Sequence, residues 1–330
     1  MNVEKLKIAV VGFGKMGMLH ASILNVLPGV QLIALCEKSG LIRKFLKKAF
    51  SNIYVVDDVE KFSNLDLDAI YVTTPIPSHF PVAKNIYSAG IACNLFIEKT
   101  LASNFDDAKK LCDLAQKFGG VNMVGYMRRF TVTFLKAKDL LDGEVIGEPI
   151  SFKAYAFSSD FFRVKQNSKV QTPSIGILRD LGCHAIDLAL WFFGDFEVEK
   201  SKLESIVSGG SEDSAYITVK APNGLYGEFN VSWCVDKHRM PEVGFMIKGP
   251  KGVMNVNDDN LELVLSGGKR YRWFRHDLGD SVAFWLGRPE YYREDEYFVN
   301  AVINKNSVEP SFQISAKVDR LIDEIKAKAY

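Results

Sequence analysis

Three stretches of the chain carry residue types that can do chemistry. The first is Val11-Gly12-Phe13-Gly14-Lys15-Met16-Gly17, which joins an apolar run, Ile8 to Val11, to a helical run from Lys15 to Leu27. Glycines at Gly12-x-Gly14-x-x-Gly17 give what a dinucleotide needs: a tight turn, backbone open to a pyrophosphate, and close packing of helix on strand. The helix start adds N–H groups and a positive dipole end for the phosphates. Glu37 ends the next apolar run 20 positions after Gly17, the spacing of an acid that binds ribose hydroxyls. Its carboxylate would repel a 2′-phosphate, so NAD is expected over NADP. Lys38 and Arg43 pull the other way, because they stand close enough in sequence to offer a phosphate counter-charge and keep NADP possible.

The second stretch is Arg179-Asp180-Leu181-Gly182-Cys183-His184-Ala185-Ile186-Asp187. On a helix, Asp180, His184 and Asp187 fall at i, i+4 and i+7 and share a face, beside an apolar stripe of Leu181, Leu188 and Phe192. Histidine titrates near neutrality, as a general base must, and a carboxylate one turn away can hold the imidazolium that forms. A solvated acidic stripe with one histidine would give the same pattern. Asp-x-x-x-His could also hold a metal, but no further histidine cluster supports that, and no metal is expected. The third stretch is Phe96-Ile97-Glu98-Lys99-Thr100. Ligands of a doubly wound sheet bind outside the carboxyl ends of its strands, which places Lys99 to meet a bound cofactor. The alternative is an ordinary solvated lysine.

The elements that must position these groups follow from periodicity. Short apolar strands near 6–11, 30–36, 53–56, 68–73, 91–97 and 121–125 alternate with helices near 15–27, 39–49, 78–89 and 104–118, the pattern of a parallel sheet covered by helices. Ser103 to Asp106 has capping-box spacing, and Gly90 and Gly119 follow helical runs as C-terminal caps should. Past Arg128-Arg129 the period changes. A helix near 130–141 leads to a strand near 148–157, an irregular polar stretch over 158–175 and a helix near 177–193. Alternating strands then dominate: Ile217-Val219 pairs with Phe229-Val231-Trp233 across Pro222-Asn223-Gly224, and Val243-Phe245-Ile247 and Leu261-Leu263-Leu265 repeat the alternation. This is an antiparallel sheet with one buried face. Helices near 289–304 and 312–328 close the chain. Two domains are expected, a dinucleotide-binding one over 1–126 and one for substrate and oligomer contacts over 127–330, with the last helices free to pack back on the first.

Composition narrows the function classes. The 330 residues exceed a typical single core, and 47% hydrophobic with 25% charged residues is ordinary for a globular protein. Lys+Arg 41 against Asp+Glu 40 leaves a net charge of +1, which argues against nucleic acid as a partner. Cys36, Cys93, Cys112, Cys183 and Cys234 are scattered without a C-x-x-C pair, as in a reducing compartment, so the cytoplasm is expected. The longest uncharged stretch, Met16 to Cys36, contains His20, Asn25, Pro28, Gly29 and Gln31, so it reads as helix, turn and strand and no membrane contact is expected. No signal peptide is read before the first strand.

Taken in order, Gly-Phe-Gly-Lys-Met-Gly, Thr73-Thr74-Pro75-x-x-x-His79, Glu98-Lys99 and Gly176-x-x-x-Asp180-x-Gly182-x-His184-x-x-Asp187 resemble the glucose-fructose oxidoreductase, inositol dehydrogenase and rhizopine-catabolism (Gfo/Idh/MocA) family. The likeness covers nearly the whole chain. It implies an N-terminal Rossmann domain with a doubly wound parallel sheet and a C-terminal α/β domain with an open, mostly antiparallel sheet. It also implies Lys99, Asp180 and His184 as the catalytic trio, with Thr73, Thr74, Pro75, His79 and Glu98 along the cofactor. Family members usually have Glu-Lys-Pro where this chain has Thr100. The reaction implied is hydride transfer between a nicotinamide cofactor and a secondary alcohol of a sugar, sugar derivative, nucleotide sugar or cyclitol. Some members instead hold the cofactor tightly during glycoside cleavage, and others only sense ligands, for which no acid-base trio is needed. Arg128, Arg129, Arg163 and Lys165 flank the expected cleft with Asp187 and are candidates to bind substrate, an anionic one in particular. Their ordinary alternative is a solvated or ion-paired surface. A homodimer or homotetramer is expected through the exposed sheet face, where Tyr155, Phe157 and Tyr226 stand among polar residues.

Overall fold

The computed structural model describes residues 5–162, 175–207, 210–280 and 288–330. The chain divides into two compact units, residues 1–127 with 282–319, and residues 128–281 with 320–330.

The first unit begins with β1 (Leu6–Val11), α1 (Lys15–Val26), β2 (Val30–Cys36), α2 (Gly40–Ala49), β3 (Tyr54–Val56), β4 (Ala69–Val72), α3 (His79–Ser88), β5 (Asn94–Glu98), α4 (Phe105–Phe118) and β6 (Asn122–Gly125). The strands form one sheet in the order β3-β2-β1-β4-β5-β6, with every neighbouring pair parallel. Ile8, Ala9 and Val10 on β1 and all four residues of β4 are fully buried, as central parallel strands covered on both faces must be. Each such large aliphatic side chain stabilises the fold by about 1.5–3 kcal/mol. The chain leaves β1 toward β2 on one side and reaches β4 on the other. That reversal opens a crevice beyond the carboxyl ends of β1 and β4, at Gly12 and Thr73.

The second unit contains α5 (Val132–Asp142), β7 (Ser151–Phe157), α6 (Cys183–Phe193), β8 (Glu197–Glu204), β9 (Ser214–Lys220), β10 (Tyr226–Ser232), β11 (Glu242–Gly249), β12 (Gly252–Asn257), β13 (Asn260–Leu265) and β14 (Arg270–Phe274). Two helices follow: α7 (Pro289–Asn304), which falls in the first unit, and α8 (Phe312–Ala327). The eight strands run β14-β13-β12-β11-β7-β10-β9-β8. Among these neighbours only β7 and β10 pair in parallel, and the remaining pairs are antiparallel. Along β7, Phe152, Ala154 and Ala156 turn to the core while Lys153, Tyr155 and Phe157 take the other face. Phe152 stacks on Phe193 of α6 at 4.9 Å and meets Phe229 edge-on at 5.3 Å. This aromatic layer seats α6 on the sheet.

The structure corrects several expected boundaries. The fourth helix is capped by Asn104, one residue after Ser103: Asn104 Oδ1 accepts from Asp107 N at 2.8 Å and its amide donates to Asp107 Oδ2 at 3.1 Å. The run over 130–141 opens with a 3₁₀ turn, Met127–Phe130, before α5. The run over 177–193 opens with a π-helical turn, Leu178–Gly182, before α6. Strands β8, β12 and β14 were not expected. Two of them, β8 and β14, are the sheet's edges, where Glu197, Glu199, Lys200, Lys202, Arg270 and Arg272 mask the alternation while protecting an exposed edge.

Candidate active site

At the crevice of the first unit, contact requires glycine at two of the three positions. Gly12 has φ +91°, and a Cβ there would lie 2.8 Å from Thr74 Cγ2; a Cβ on Gly17 would lie 1.9 Å from Gly12 O. Gly14, the N-cap of α1, faces open space. No side chain caps that helix among the described residues and its first turn has no acid, so its N–H groups and dipole are left for an anion. Thr73 Oγ1 lies 2.7 Å from Gly12 O and 3.1 Å from Val11 O and clamps the turn onto β4. Phe13 is buried, Met16 half-buried and Lys15 exposed.

Glu37 is held across this turn. Its Oε2 accepts from Phe13 N and its Oε1 from Ser39 N, both at 2.7 Å. Each oxygen keeps further lone-pair capacity for ribose hydroxyls. Arg43 Nη1 donates to Glu37 O at 2.8 Å and Lys38 O at 2.6 Å, and Arg43 Nη2 stands 3.8 Å from Asp57. Its charge is therefore engaged in the β2–α2 connection. Lys38 is exposed. These residues fit the adenosine and pyrophosphate portions of a dinucleotide.

Thr74 is half-buried and Pro75 exposed, whereas His79 and Glu98 turn inward. His79 Nδ1 lies 2.8 Å from Thr100 O and its Nε2 lies 2.8 Å from Thr74 O, which braces the Thr73-Thr74-Pro75 segment against the end of β5. Burial pulls the His79 pKa below 6.5, against those two carbonyls. Glu98 Oε1 lies 2.9 Å from His20 Nε2, and Glu98 Oε2 accepts from Lys99 N at 3.1 Å. Lys99 itself is half-buried at the strand end, and the Lys99–Thr100 peptide is cis. Thr100 Oγ1 donates to Ala102 O at 2.9 Å.

Sequence reasoning missed His20. It is fully buried, with Nδ1 2.8 and 3.0 Å from the two carboxylate oxygens of Asp295. Burial alone would strip its proton, but Asp295 and Glu98 outweigh burial and hold the imidazole well above 6.5. Burial also lifts Asp295 above 3.8, against the pull of His20. A lone histidine within three residues of Gly17 was the available signal. Its partner in sequence, Asp295, lies 275 positions away.

In the second unit, Asp180 sits in the π-helical turn and is half-buried, and His184 follows in the first turn of α6 with 7% exposure. A π turn inserts one residue into the helix and re-aims the side chains it carries. Asp187 is buried and forms a two-pronged pair with Arg129, at 2.9 and 2.7 Å, while the guanidinium lies over Trp191 at 5.6 Å. Arg128 is likewise buried and pairs with Asp258 at 3.1 and 3.3 Å and with Pro241 O at 3.1 Å. Both arginines are thus held in buried ion pairs and not in the surface pairs or solvated positions that were the alternative. Arg163 and Lys165 lie outside the described residues. Arg179, beside Asp180, pairs with Asp323. Among the described residues one group could hold a metal by proximity, namely His20, Glu294 and Asp295. Both ring nitrogens of His20 lie within hydrogen-bond distance of carboxylates, so a metal there would have to displace a proton from the imidazole.

The model for an oxidoreductase family with an NAD-binding Rossmann fold matches residues 6–126, and that for the GFO/IDH/MocA C-terminal domain matches residues 134–255. An uncharacterized oxidoreductase of Schizosaccharomyces pombe is 30% identical over 206 residues, 61% of this chain and 55% of that protein. The myo-inositol 2-dehydrogenase of Thermotoga maritima is 26% identical over 285 residues, 80% of each chain. Among solved structures, levoglucosan dehydrogenase with NADH and levoglucosan superposes with TM-score 0.86 at 19% identity, covering 98% of this chain and 97% of that one.

Proposed function

Because the chain belongs to the Gfo/Idh/MocA family of NAD-binding oxidoreductases, we propose that it is a dehydrogenase of a secondary alcohol on a cyclitol, sugar or sugar derivative. NAD, when bound, supplies the hydride acceptor. The turn Gly12 to Gly17 and the Glu37 carboxylate bind and orient it, with Lys38, Thr73, Thr74 and Pro75 alongside. His184 takes the hydroxyl proton as the C–H hydride leaves, so the alcohol becomes a ketone. Asp180 orients His184 and balances its charge, and Lys99 holds the reacting oxygen and stabilises its developing negative charge. The observation that carries this reading is Glu37, which is held by the N–H of Phe13 in the glycine turn and that of Ser39, in a chain that also keeps Lys99, Asp180 and His184.

The named relative acts on myo-inositol, and the similar structure carries levoglucosan with NADH, so cyclitols and sugars head the substrate range. Residues 1–126 act as the cofactor domain, onto which the helix Pro289–Asn304 packs back, and the rest of 127–330 acts as the substrate and association domain. Association into a dimer or tetramer uses the sheet face that carries Tyr155, Phe157 and Tyr226, which also holds a concavity of roughly 510 Å³ beside Tyr155 and Phe157. All five cysteines are free, which suits the cytoplasm, and no helix among the described residues is long and apolar enough to cross a membrane. The test is NADH formation with a panel of inositols, aldoses, anhydrosugars and glucosides. Steady turnover on at least one polyol is expected. Absence of net NADH formation across the panel, with NAD bound, would overturn the assignment.

A further inference from the structure

One charged network in the first unit has no part in the reaction as described above. It runs from Asp295 on α7 through His20 on α1 to Glu98 at the end of β5, and then to the N–H of Lys99. His20 and Asp295 have 0% exposure and Glu98 has 6%. The rings of Phe96, Tyr71 and Tyr291 surround the imidazole at 5.1, 5.6 and 6.1 Å. With Asp295 and Glu98 ionised, each ring nitrogen donates to a carboxylate, and the imidazole then carries both protons.

Stability is a weak explanation for such a network, because apolar side chains of the same volume often fill a core as well as a buried ion cluster does. What the network fixes is direction. Glu98 is the last residue of β5, and its carboxylate folds back so that one oxygen takes its neighbour's N–H while the other is gripped by His20. The peptide plane that launches Lys99 is thereby tied through Glu98 to two helices of the same unit. We propose that His20 is a positioning residue for Lys99, acting through the Glu98 carboxylate to fix the strand-end turn from which the lysine reaches the reacting oxygen. This inference rests on the reading of Lys99 as a catalytic residue. A displacement of about 1 Å in a reacting group costs about 10²-fold in rate, so a loosened Glu98 is enough to be seen in turnover.

The test is a double-mutant cycle on His20→Gln and Lys99→Met in the full chain, using the polyol with the highest turnover in the panel above. His20→Gln is expected to lower kcat about 10–100-fold with NAD affinity within about threefold, and to have no further effect in the Lys99→Met background. The same loss in both backgrounds, or full activity of folded His20→Gln, would overturn the inference. Wild-type activity of Lys99→Met would instead remove the role given to Lys99, so the two failures are distinguishable. If His20→Gln does not fold, Glu98→Gln takes its place in the cycle with the same outcomes. Where the double variant turns over too slowly to measure, the ¹³C resonance of reductively methylated Lys99 with NAD bound decides. It is expected to move in the single variant, and an unmoved resonance would overturn the inference.

Discussion

Around the glycine turn of the first unit, side chains are anchored mostly to backbone. Glu37 takes the N–H groups of Phe13 and Ser39, Thr73 reaches Gly12 O, and His79 spans the carbonyls of Thr74 and Thr100. In the second unit, side chains are anchored to one another as charges: Arg129 with Asp187, Arg128 with Asp258, Arg179 with Asp323. A cradle made of backbone donors is fixed by chain geometry and should yield gradually when one side chain is changed. A helix held by buried ion pairs should fail sharply when one charge is removed, because the partner is left in a poor solvent.

The largest expected effect is therefore in the second unit. Arg129→Met removes the guanidinium from a buried Asp187 and should cost about 3–5 kcal/mol of stability, read as a fall in the denaturant midpoint. Asp187→Asn, which keeps the shape and removes the charge, should also destabilise. If Arg129→Met unfolds at the wild-type midpoint, the contrast between the units fails.

The exception within the first unit is His20, which is anchored by charge and should behave like the second unit. Its pKa is raised above 6.5 by Asp295 and Glu98, with Glu294 and Tyr71 also near the cluster. A raised native pKa gives stability that is full below the unfolded value of about 6.5 and is lost as pH rises through the native value. The wild type should thus exceed His20→Gln in thermal midpoint by roughly 5 °C below pH 6.5, and the gap should close toward alkaline pH. A gap that widens with pH would contradict the assigned charge.

Smaller effects are expected at the cradle. Glu37→Ala should leave the fold intact, since backbone sets the turn, and should shift the NAD to NADP affinity ratio by about tenfold toward NADP, near 1.4 kcal/mol. Titration of both cofactors checks this. Tighter binding of NADP by the wild type would overturn the preference. Arg43→Ala should move NAD affinity by less than about threefold, because its charge is occupied by the carbonyls of Glu37 and Lys38 and by Asp57.

The same contrast explains what was legible in the sequence. The parallel sheet and the Gly12 to Glu37 unit could be read because fully buried strands such as β4 are continuous apolar runs, and because the cofactor turn is a local geometry encoded by neighbouring residues. The charge-anchored parts could not be read, since their partners meet only in the fold. Arg129 and Asp187 are 58 positions apart, and His20 and Asp295 are 275 apart. The edge strands β8 and β14 were hidden for a third reason: their charges, placed to discourage pairing with other chains, erase the alternation that marks a strand. The π-helical turn before His184, which packs against β7 and β10, left no local signal.

The measurement that bears most directly on the proposed function is turnover and NAD binding by folded His184→Ala with the best polyol of the panel. If His184 is the base, kcat should fall about 10²–10⁴-fold while NAD affinity and thermal midpoint stay close to the wild type, because the dinucleotide is assigned to the first unit. A His184→Ala protein that loses thermal stability yet keeps its rate per folded molecule would contradict the catalytic assignment.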